Sequence, residues 1–271
     1  MKHLLDIGHE WRDRVRKYSL MLFLDYDGTL TPIVEFPDKA KLSIRMRKML
    51  ESLLTVDEVK LAIVSGRSLE QVKAFVGIPE AVYVGNHGLE VEGPGIKYIH
   101  PGAVSGAALI GNIAERLKSA FDKTSGIIVE DKTYTLSVHY RLAKEENLEQ
   151  NRMRLLKIIF PYLEQSQILL TQGKKVWELR PAAEWNKASA MLWLSRQFSA
   201  SMPKRSFLSM YIGDDKADEA CFAILGLEGL GVRITADPSE PTDAEYYLRN
   251  TDELYGFLKI VKDLKSKNGR P

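Results

Sequence analysis

The stretch LFLDYDGTLTP, residues 22–32, decides how the rest of the chain is read. Leu22, Phe23 and Leu24 form an apolar run suited to a buried strand. It ends abruptly in two aspartates separated by one residue, Asp25 and Asp27. Gly28 and Thr29 follow, and Pro32 closes the loop. A carboxylate at the end of a buried strand is costly unless a cation, hydrogen bonds or water compensates it. In an open α/β sheet, ligands bind at the carboxyl ends of the strands. The segment therefore marks a functional edge.

Working outward, the same pattern recurs. VKLAIVSGRS (59–68) is an apolar strand ending in Ser65, Gly66 and Arg67, and AVYVGNHG (81–88) ends in Asn86, His87 and Gly88. FLSMYIGDD (207–215) ends in Asp214 and Asp215. Helices lie between: SIRMRKMLESLL with Ser43 as N-cap, and SLEQVKAFVG with a Ser68–Gln71 capping box and a stop at Gly77. NKASAMLWLSRQF follows later, with Asn186 as cap and Lys187 just inside the helix. ADEACFAILG reads as a helix, GVRITAD as a final strand, and TDELYGFLKIVKDLK as a closing helix. Strands alternating with helices predict an α/β protein with a doubly wound parallel sheet, Rossmann-like in plan. The first twenty residues read as an amphipathic helix, and KSKNGRP as a frayed, solvated tail.

Near residue 100 the pattern changes. Between 104 and 174 the order is helix (107–123), strand (126–131), strand (133–141), helix (145–160) and strand (167–172), and KVWELR makes one more strand. TYTLSVHYR alternates Tyr134, Leu136, Val138 and Tyr140 with Thr135, Ser137, His139 and Arg141, as a half-exposed antiparallel strand does. The expected organisation is a core of 1–103 and 175–271 with an inserted α+β domain at 104–174. Pro101, Gly102, Gly106 and Gly173 sit near the joins and suit hinges.

Composition narrows the function classes. The 271 residues carry 38 basic and 36 acidic side chains, a net charge of +2, which argues against nucleic acid as the main partner. One cysteine, Cys221, excludes an intramolecular disulfide and any multi-cysteine metal site. No apolar run approaches the ~20 residues of a membrane span, and residues 1–20 lack a signal-peptide core. A cytoplasmic, monomeric protein acting on a small molecule, with no membrane partner, is the expectation.

The strand ends bring together Asp25, Asp27, Ser65, Asp214 and Asp215, with Lys187 at a helix start. Carboxylates, one hydroxyl and one ammonium on a single edge suit phosphoryl transfer, in which positioning and charge stabilisation carry most of the catalysis. Hard oxygen ligands suit magnesium (Mg2+). The metal and Lys187 would neutralise a phosphate dianion, and Ser65 would donate to one of its oxygens.

In their order and spacing, DYDGT, SGR, Lys187 and GDD resemble the four motifs of haloacid-dehalogenase-type (HAD) phosphatases. The resemblance implies that Asp25 is the nucleophile that becomes an aspartyl-phosphate. Asp27 would be the general acid and then the base. Mg2+ would be held by Asp25, the backbone carbonyl of Asp27, and Asp214. Asp215 would order the water around the metal and help hold Lys187, with Asp218 close by, and Ser65, Gly66 and Lys187 would bind phosphate. The insert between the serine and lysine motifs is similar to the C2 type of cap domain. GNHGLE (85–90), VEDKTYTLSVHYR (129–141), KKVWELRP (174–181) and YIGDDKADEACF (211–222) resemble the trehalose-6-phosphate phosphatase family. That likeness implies a phosphoric monoester hydrolase that releases trehalose and phosphate. Glu130, Lys132 and Glu178 would contact the sugar, and Arg67, Asn86 and His87 would line the core side. Two positions depart from the family pattern: Ala188 where glycine is usual, and Ala217 where threonine is usual. Related readings stay open, namely phosphatases of sucrose phosphate or of mannosyl- or glucosyl-phosphoglycerate, a phosphomutase, and a non-catalytic sugar-phosphate-binding module.

Overall fold

Every residue from Ser19 to Asp25 is buried, and this strand organises the larger of two units. A computed structural model describes residues 1–34, 36–202, 205–226 and 228–267. In chain order the first stretch holds β1 (Lys2–His3), α1 (Glu10–Lys17), β2 (Ser19–Asp25), α2 (Ile44–Leu54), β3 (Val59–Val64), α3 (Leu69–Val76), β4 (Val82–Gly85), β5 (Glu90–Gly93) and β6 (Ile96–Ile99). The middle holds α4 (Pro101–Phe121), β7 (Ile128–Asp131), β8 (Leu136–His139), α5 (Leu148–Glu164), β9 (Ile168–Gly173) and β10 (Val176–Pro181). The last stretch holds α6 (Lys187–Ser201), β11 (Phe207–Gly213), α7 (Glu219–Leu225), β12 (Leu230–Ile234), β13 (Tyr246–Leu248) and α8 (Thr251–Lys267). One unit is Met1–Tyr98 with Asn186–Pro271; the other is Ile99–Trp185.

The first unit is built on a nine-stranded sheet in the order β1-β13-β12-β11-β2-β3-β4-β5-β6. From β1 to β4 every pairing is parallel, as the alternation of strands and helices predicts. β2 is apolar from Leu20 to Leu24 because both faces of the sheet are covered. Leu20, Leu22 and Leu24 face a core that includes Trp11, Leu50, Val72 and Phe257, supplied by α1, α2, α3 and α8. Phe23, on the other face, meets Phe198 of α6 at 6.3 Å between ring centroids. Ser43 caps α2 and Ser68 caps α3, each accepting a backbone N–H, and Gly77 ends α3 with φ +65°. From β2 the chain builds outward through β3 and β4 on one side, and β11, β12 and β13 fill the other. β2 and β11 therefore flank the point at which the winding reverses, where such sheets bind ligands.

The edges differ from expectation. β5 is antiparallel to β4, and β6 extends the sheet beyond it. β13, not the 231–237 segment, is the last strand. The first residues form β1, parallel to β13, before α1 begins at Glu10. These strands are short and carry charges or tyrosines, so they have no apolar run to announce them. Lys265 is also not part of a solvated tail. It is buried in α8, and its ammonium donates to Glu58 at 3.0 Å and to the Tyr18 carbonyl. The last four residues of KSKNGRP lie outside the described residues.

The second unit packs α4 and α5 on an antiparallel sheet ordered β7-β8-β10-β9. Ile110, Leu117, Leu136, Val138, Leu155 and Leu179 are in its core. β10 is an interior strand, paired with β8 and β9, and this carries the unit past 174 to Trp185. Pro101, Gly102 and Gly106 belong to α4 and Gly173 to β9, so the suggested hinge residues sit inside regular elements. Gly106 serves packing instead: a Cβ there would fall 2.7 Å from Pro181. His100 caps α4 through Nδ1, which accepts the Gly102 N–H at 3.1 Å, and its ring lies 5.0 Å from that of Trp185.

Candidate active site

Three side chains meet at the carboxyl edge beside β2. Lys187 Nζ donates to Asp25 Oδ1 and to Asp218 Oδ1, both at 2.7 Å. Asp25, Lys187 and Asp218 are all buried. Asn186 caps α6 by accepting the Ser189 N–H at 3.0 Å, and this fixes Lys187 in the first turn. A cation there opposes the helix dipole, and the two carboxylates compensate it. Asp218 also accepts from the Tyr211 hydroxyl at 2.6 Å and from the N–H groups of Asp214 and Asp215 at 3.1 and 3.0 Å. Four donors occupy its two oxygens, so the threonine hydroxyl missing at Ala217 leaves no gap around it. Asp215 differs from expectation: its carboxylate accepts the Lys216 N–H and caps the short turn Lys216–Asp218, while Asp218 holds Lys187.

The charges follow from burial and proximity. Burial pushes the Asp25 carboxyl well up, against the pull of Lys187, and the charges of Asp218 and Asp214 push it further. Burial would lower Lys187, but Asp218 and Asp25 hold its ammonium well above the ordinary lysine value. Burial would raise Asp218, but Lys187 and the hydrogen bonds keep it below the usual carboxylate range. Among the described residues, Asp25, Asp214 and Asp218 each bring one oxygen to within 4.8 Å of the others. Three carboxylates against one ammonium leave an excess of negative charge, and the donors are hard oxygens, so the set fits a divalent cation. Because Asp218 is committed to its four donors, Asp25 and Asp214 are the carboxylates that suit it. Gly28, with φ +90°, makes the approach possible: a Cβ there would fall 2.1 Å from Asp214 Oδ2.

Ser65 follows β3, whose last residue pairs with Asp25, so its position is one strand away from the cluster. It is buried, and its hydroxyl accepts the Arg67 N–H at 3.1 Å. Asp27 turns toward Arg67, which donates from Nε to Oδ2 and from Nη2 to Oδ1, each at 2.7 Å. Gly66 lies under His87, where a Cβ would come within 2.5 Å of the ring. Asn86 and His87 hold φ of +48° and +56°, a conformation side chains other than glycine rarely adopt. The turn is fastened by the Asn86 N–H to the Arg67 carbonyl (2.7 Å), the His87 N–H to the Ser65 carbonyl (3.1 Å), and the Asn86 amide to Glu90. Burial raises the Glu90 carboxyl, against the pull of Asn86.

In the second unit, register aligns Glu130 with Ser137 and Ser137 with Glu178 across three neighbouring strands. His139 shares that face, and its Nε2 lies 2.8 Å from Glu130 Oε2. Lys132 is buried, with Nζ 3.9 Å from Glu178. The three expected sugar contacts thus gather on one polar sheet face. Ser137 belongs to that row, and the alternation of TYTLSVHYR already placed it with His139. Tyr211 was not foreseen at all. Its one signal is a hydroxyl within the buried stretch Met210–Gly213 of β11, which must find a partner.

The fold is that of the haloacid-dehalogenase-like hydrolases, and the cluster sits at the edge where its winding reverses. A B. subtilis haloacid dehalogenase-like hydrolase aligns over 88% of this chain and 98% of its own, with TM-score 0.54 and 15% identity. The C-terminal domain of C. albicans trehalose-6-phosphate phosphatase aligns over 95% of this chain and 97% of its own, with TM-score 0.80 and 21% identity. Residues 23–252 match the trehalose-phosphatase family. "Probable trehalose-phosphate phosphatase H" of Arabidopsis thaliana is 35% identical over 263 residues, covering 91% of this chain and 73% of that protein. The chain belongs to the trehalose-phosphatase family.

Proposed function

We propose that this chain is a magnesium-dependent phosphatase that hydrolyses trehalose 6-phosphate to trehalose and phosphate. The observation that carries the reading is Lys187 bridging Asp25 and Asp218 at the sheet's reversal point, in a chain of this family. Asp25 attacks phosphorus, the bond from phosphorus to the sugar oxygen breaks, and Asp27 gives that oxygen a proton. Water then attacks the aspartyl-phosphate, Asp27 takes the water's proton, and Asp25 and phosphate are released. Lys187 keeps its charge and screens the dianion during attack; Ser65 and the Gly66 N–H hold phosphate oxygens. Asp25, the Asp27 carbonyl and Asp214 would hold magnesium, which would supply the remaining positive charge. Asp218 holds Lys187 on Asp25, and Asp215 shapes the turn that presents Asp214.

The Ile99–Trp185 unit acts as the cap that reads the sugar, through Glu130, Lys132 and Glu178. Paired carboxylates and a buried ammonium suit a ligand rich in hydroxyls, because buried polar groups reject ligands that leave them unpaired. Asn86 and His87 serve as further substrate contacts. We place the enzyme in the cytoplasm, acting as a monomer on a soluble sugar phosphate. Among the described residues, no helix is long and apolar enough to cross a membrane.

The test is phosphate release from trehalose 6-phosphate, sucrose phosphate and mannosyl- and glucosyl-phosphoglycerate, with magnesium or a chelator, for wild type and Asp25→Asn. Trehalose 6-phosphate should be the best substrate, and either the chelator or the substitution should abolish turnover. Better turnover of another ester reassigns the substrate. Phosphate moved within the sugar without release identifies a mutase, and no reaction on any ester identifies a binding module.

A further inference from the structure

We infer that Arg67 acts through Asp27 rather than on the sugar: it is the positioning residue that aims the acid–base carboxylate. The inference rests on the reading above. Both Asp27 oxygens accept from the Arg67 fork at 2.7 Å, the bidentate geometry that fixes a carboxylate's plane as well as its place. The fork is itself held from several sides. Its guanidinium lies 4.9 Å from the Phe75 ring centroid and 5.8 Å from that of Tyr26. The Arg67 N–H donates to Ser65 Oγ at 3.1 Å, and its carbonyl accepts the Asn86 N–H at 2.7 Å. One residue thus ties the expected phosphate-binding hydroxyl, the left-handed turn and the expected acid–base together.

Exposure gives the pair a direction. The Arg67 side chain is 10% exposed and that of Asp27 is 40%, so the arginine forms the anchored side and the aspartate faces outward. In each turnover Asp27 loses a proton to the sugar oxygen as the ester bond breaks, then regains one from water as the aspartyl-phosphate bond breaks. Both transfers need one oxygen turned to the substrate while the carboxylate stays in place. A fork does this by keeping one arm bonded while the other yields. A lysine, as a point charge with no fixed plane, does not.

The test uses the full chain with magnesium and compares wild type, Arg67→Met, Arg67→Lys, Asp27→Asn and the Arg67→Met/Asp27→Asn double variant. Steady-state rates are measured on trehalose 6-phosphate and p-nitrophenyl phosphate, and rapid mixing follows the first turnover of the aryl ester. Arg67→Met should lower kcat about 10²-fold on both esters, as misplacing a reacting group does; KM should change by less than about threefold on trehalose 6-phosphate, where both steps slow, and should fall with kcat on the aryl ester, where only the second step does. A burst of p-nitrophenol should appear, because the aryl group leaves without an acid while the second step still needs the base. In the Asp27→Asn background, removing Arg67 should change the residual rate by less than about twofold, since non-additivity marks a shared route. Arg67→Lys should recover only part of the loss, and it carries the same comparisons if Arg67→Met does not fold. The inference is overturned by a KM rise confined to the sugar substrate with kcat kept, or by an equal loss in the Asp27→Asn background. If wild type releases phosphate from no ester, the functional reading fails; if wild type works and Arg67 proves independent of Asp27, this inference alone does.

Discussion

Replacing Lys187 with methionine keeps much of the side-chain volume and removes a charge that lies 2.7 Å from two buried carboxylates. Asp25 and Asp218 then face each other without the ammonium between them. Breaking a buried pair by removing one partner costs roughly 3–5 kcal/mol. Proton uptake relieves part of this, at about 1.4 kcal/mol per unit of pKa rise. The relief gives the loss a sign in pH. In wild type the Asp218 carboxyl is depressed, so its contribution is present above the unfolded carboxylate value and is lost as pH falls through its folded value. In the variant the largest influence lowering Asp218 is gone, and the rise that Asp25 already shows from burial goes unopposed. The variant's folded state then binds more protons than its unfolded state, so its stability falls as pH rises through the raised values. The gap between the proteins is widest near neutrality and narrows toward about pH 4, close to the unfolded carboxylate value. Urea unfolding of both proteins in chelator, from neutral to mildly acidic pH, measures it. A neutral-pH difference below about 1 kcal/mol, or one that stays constant across that range, would refute the account of two buried carboxylates held together by the Lys187 ammonium.

Gly28→Ala should remove magnesium-stimulated phosphate release with little change in far-ultraviolet circular dichroism, because the new methyl lands 2.1 Å from Asp214 Oδ2 on a backbone at φ +90°. Full activity would mean that the loop after β2 is not pressed against Asp214. Glu130→Ala should cut kcat/KM on trehalose 6-phosphate by at least about tenfold, as loss of a polar partner for a substrate hydroxyl does, while a small generic phosphoester is turned over as before. Equal losses on both would remove the sugar-reading role.

The doubly wound sheet was legible because β2, β3 and β11 are nearly uninterrupted apolar runs, each followed at once by a polar cluster. An apolar strand covered on both faces leaves little choice of location, and its polar end marks the rim. Lys187 was legible from its position just after a capping asparagine, where a cation is out of place without an anion. What the chain concealed were partnerships. Nothing near Arg67 in sequence points to Asp27, 40 positions earlier, and Tyr211 resembles any aromatic residue of a buried strand until its hydroxyl is seen on Asp218. Asp214, Asp215 and Asp218 sit on one short segment, and which of them holds Lys187 depends on the direction of a single turn. β1 and β13 are too brief to carry a period. They exist because the sheet supplies partners for their backbone groups, as in the Leu4 N–H to the Tyr247 carbonyl at 3.0 Å.

Asp25 and Lys187 stand 162 positions apart, with the whole Ile99–Trp185 unit between them. A ribosome making about 5–20 residues per second leaves roughly ten to thirty seconds between the two. Once Val59–Val64 has been made, β2 can have β3 on one flank, but it has no β11 on the other. The intervening unit, which holds its own sheet and core, leaves the exit tunnel in full before the outer sheet can be completed. A nascent polypeptide cut short anywhere before residue 187 therefore carries its aspartate without the countercharge, and is born inert.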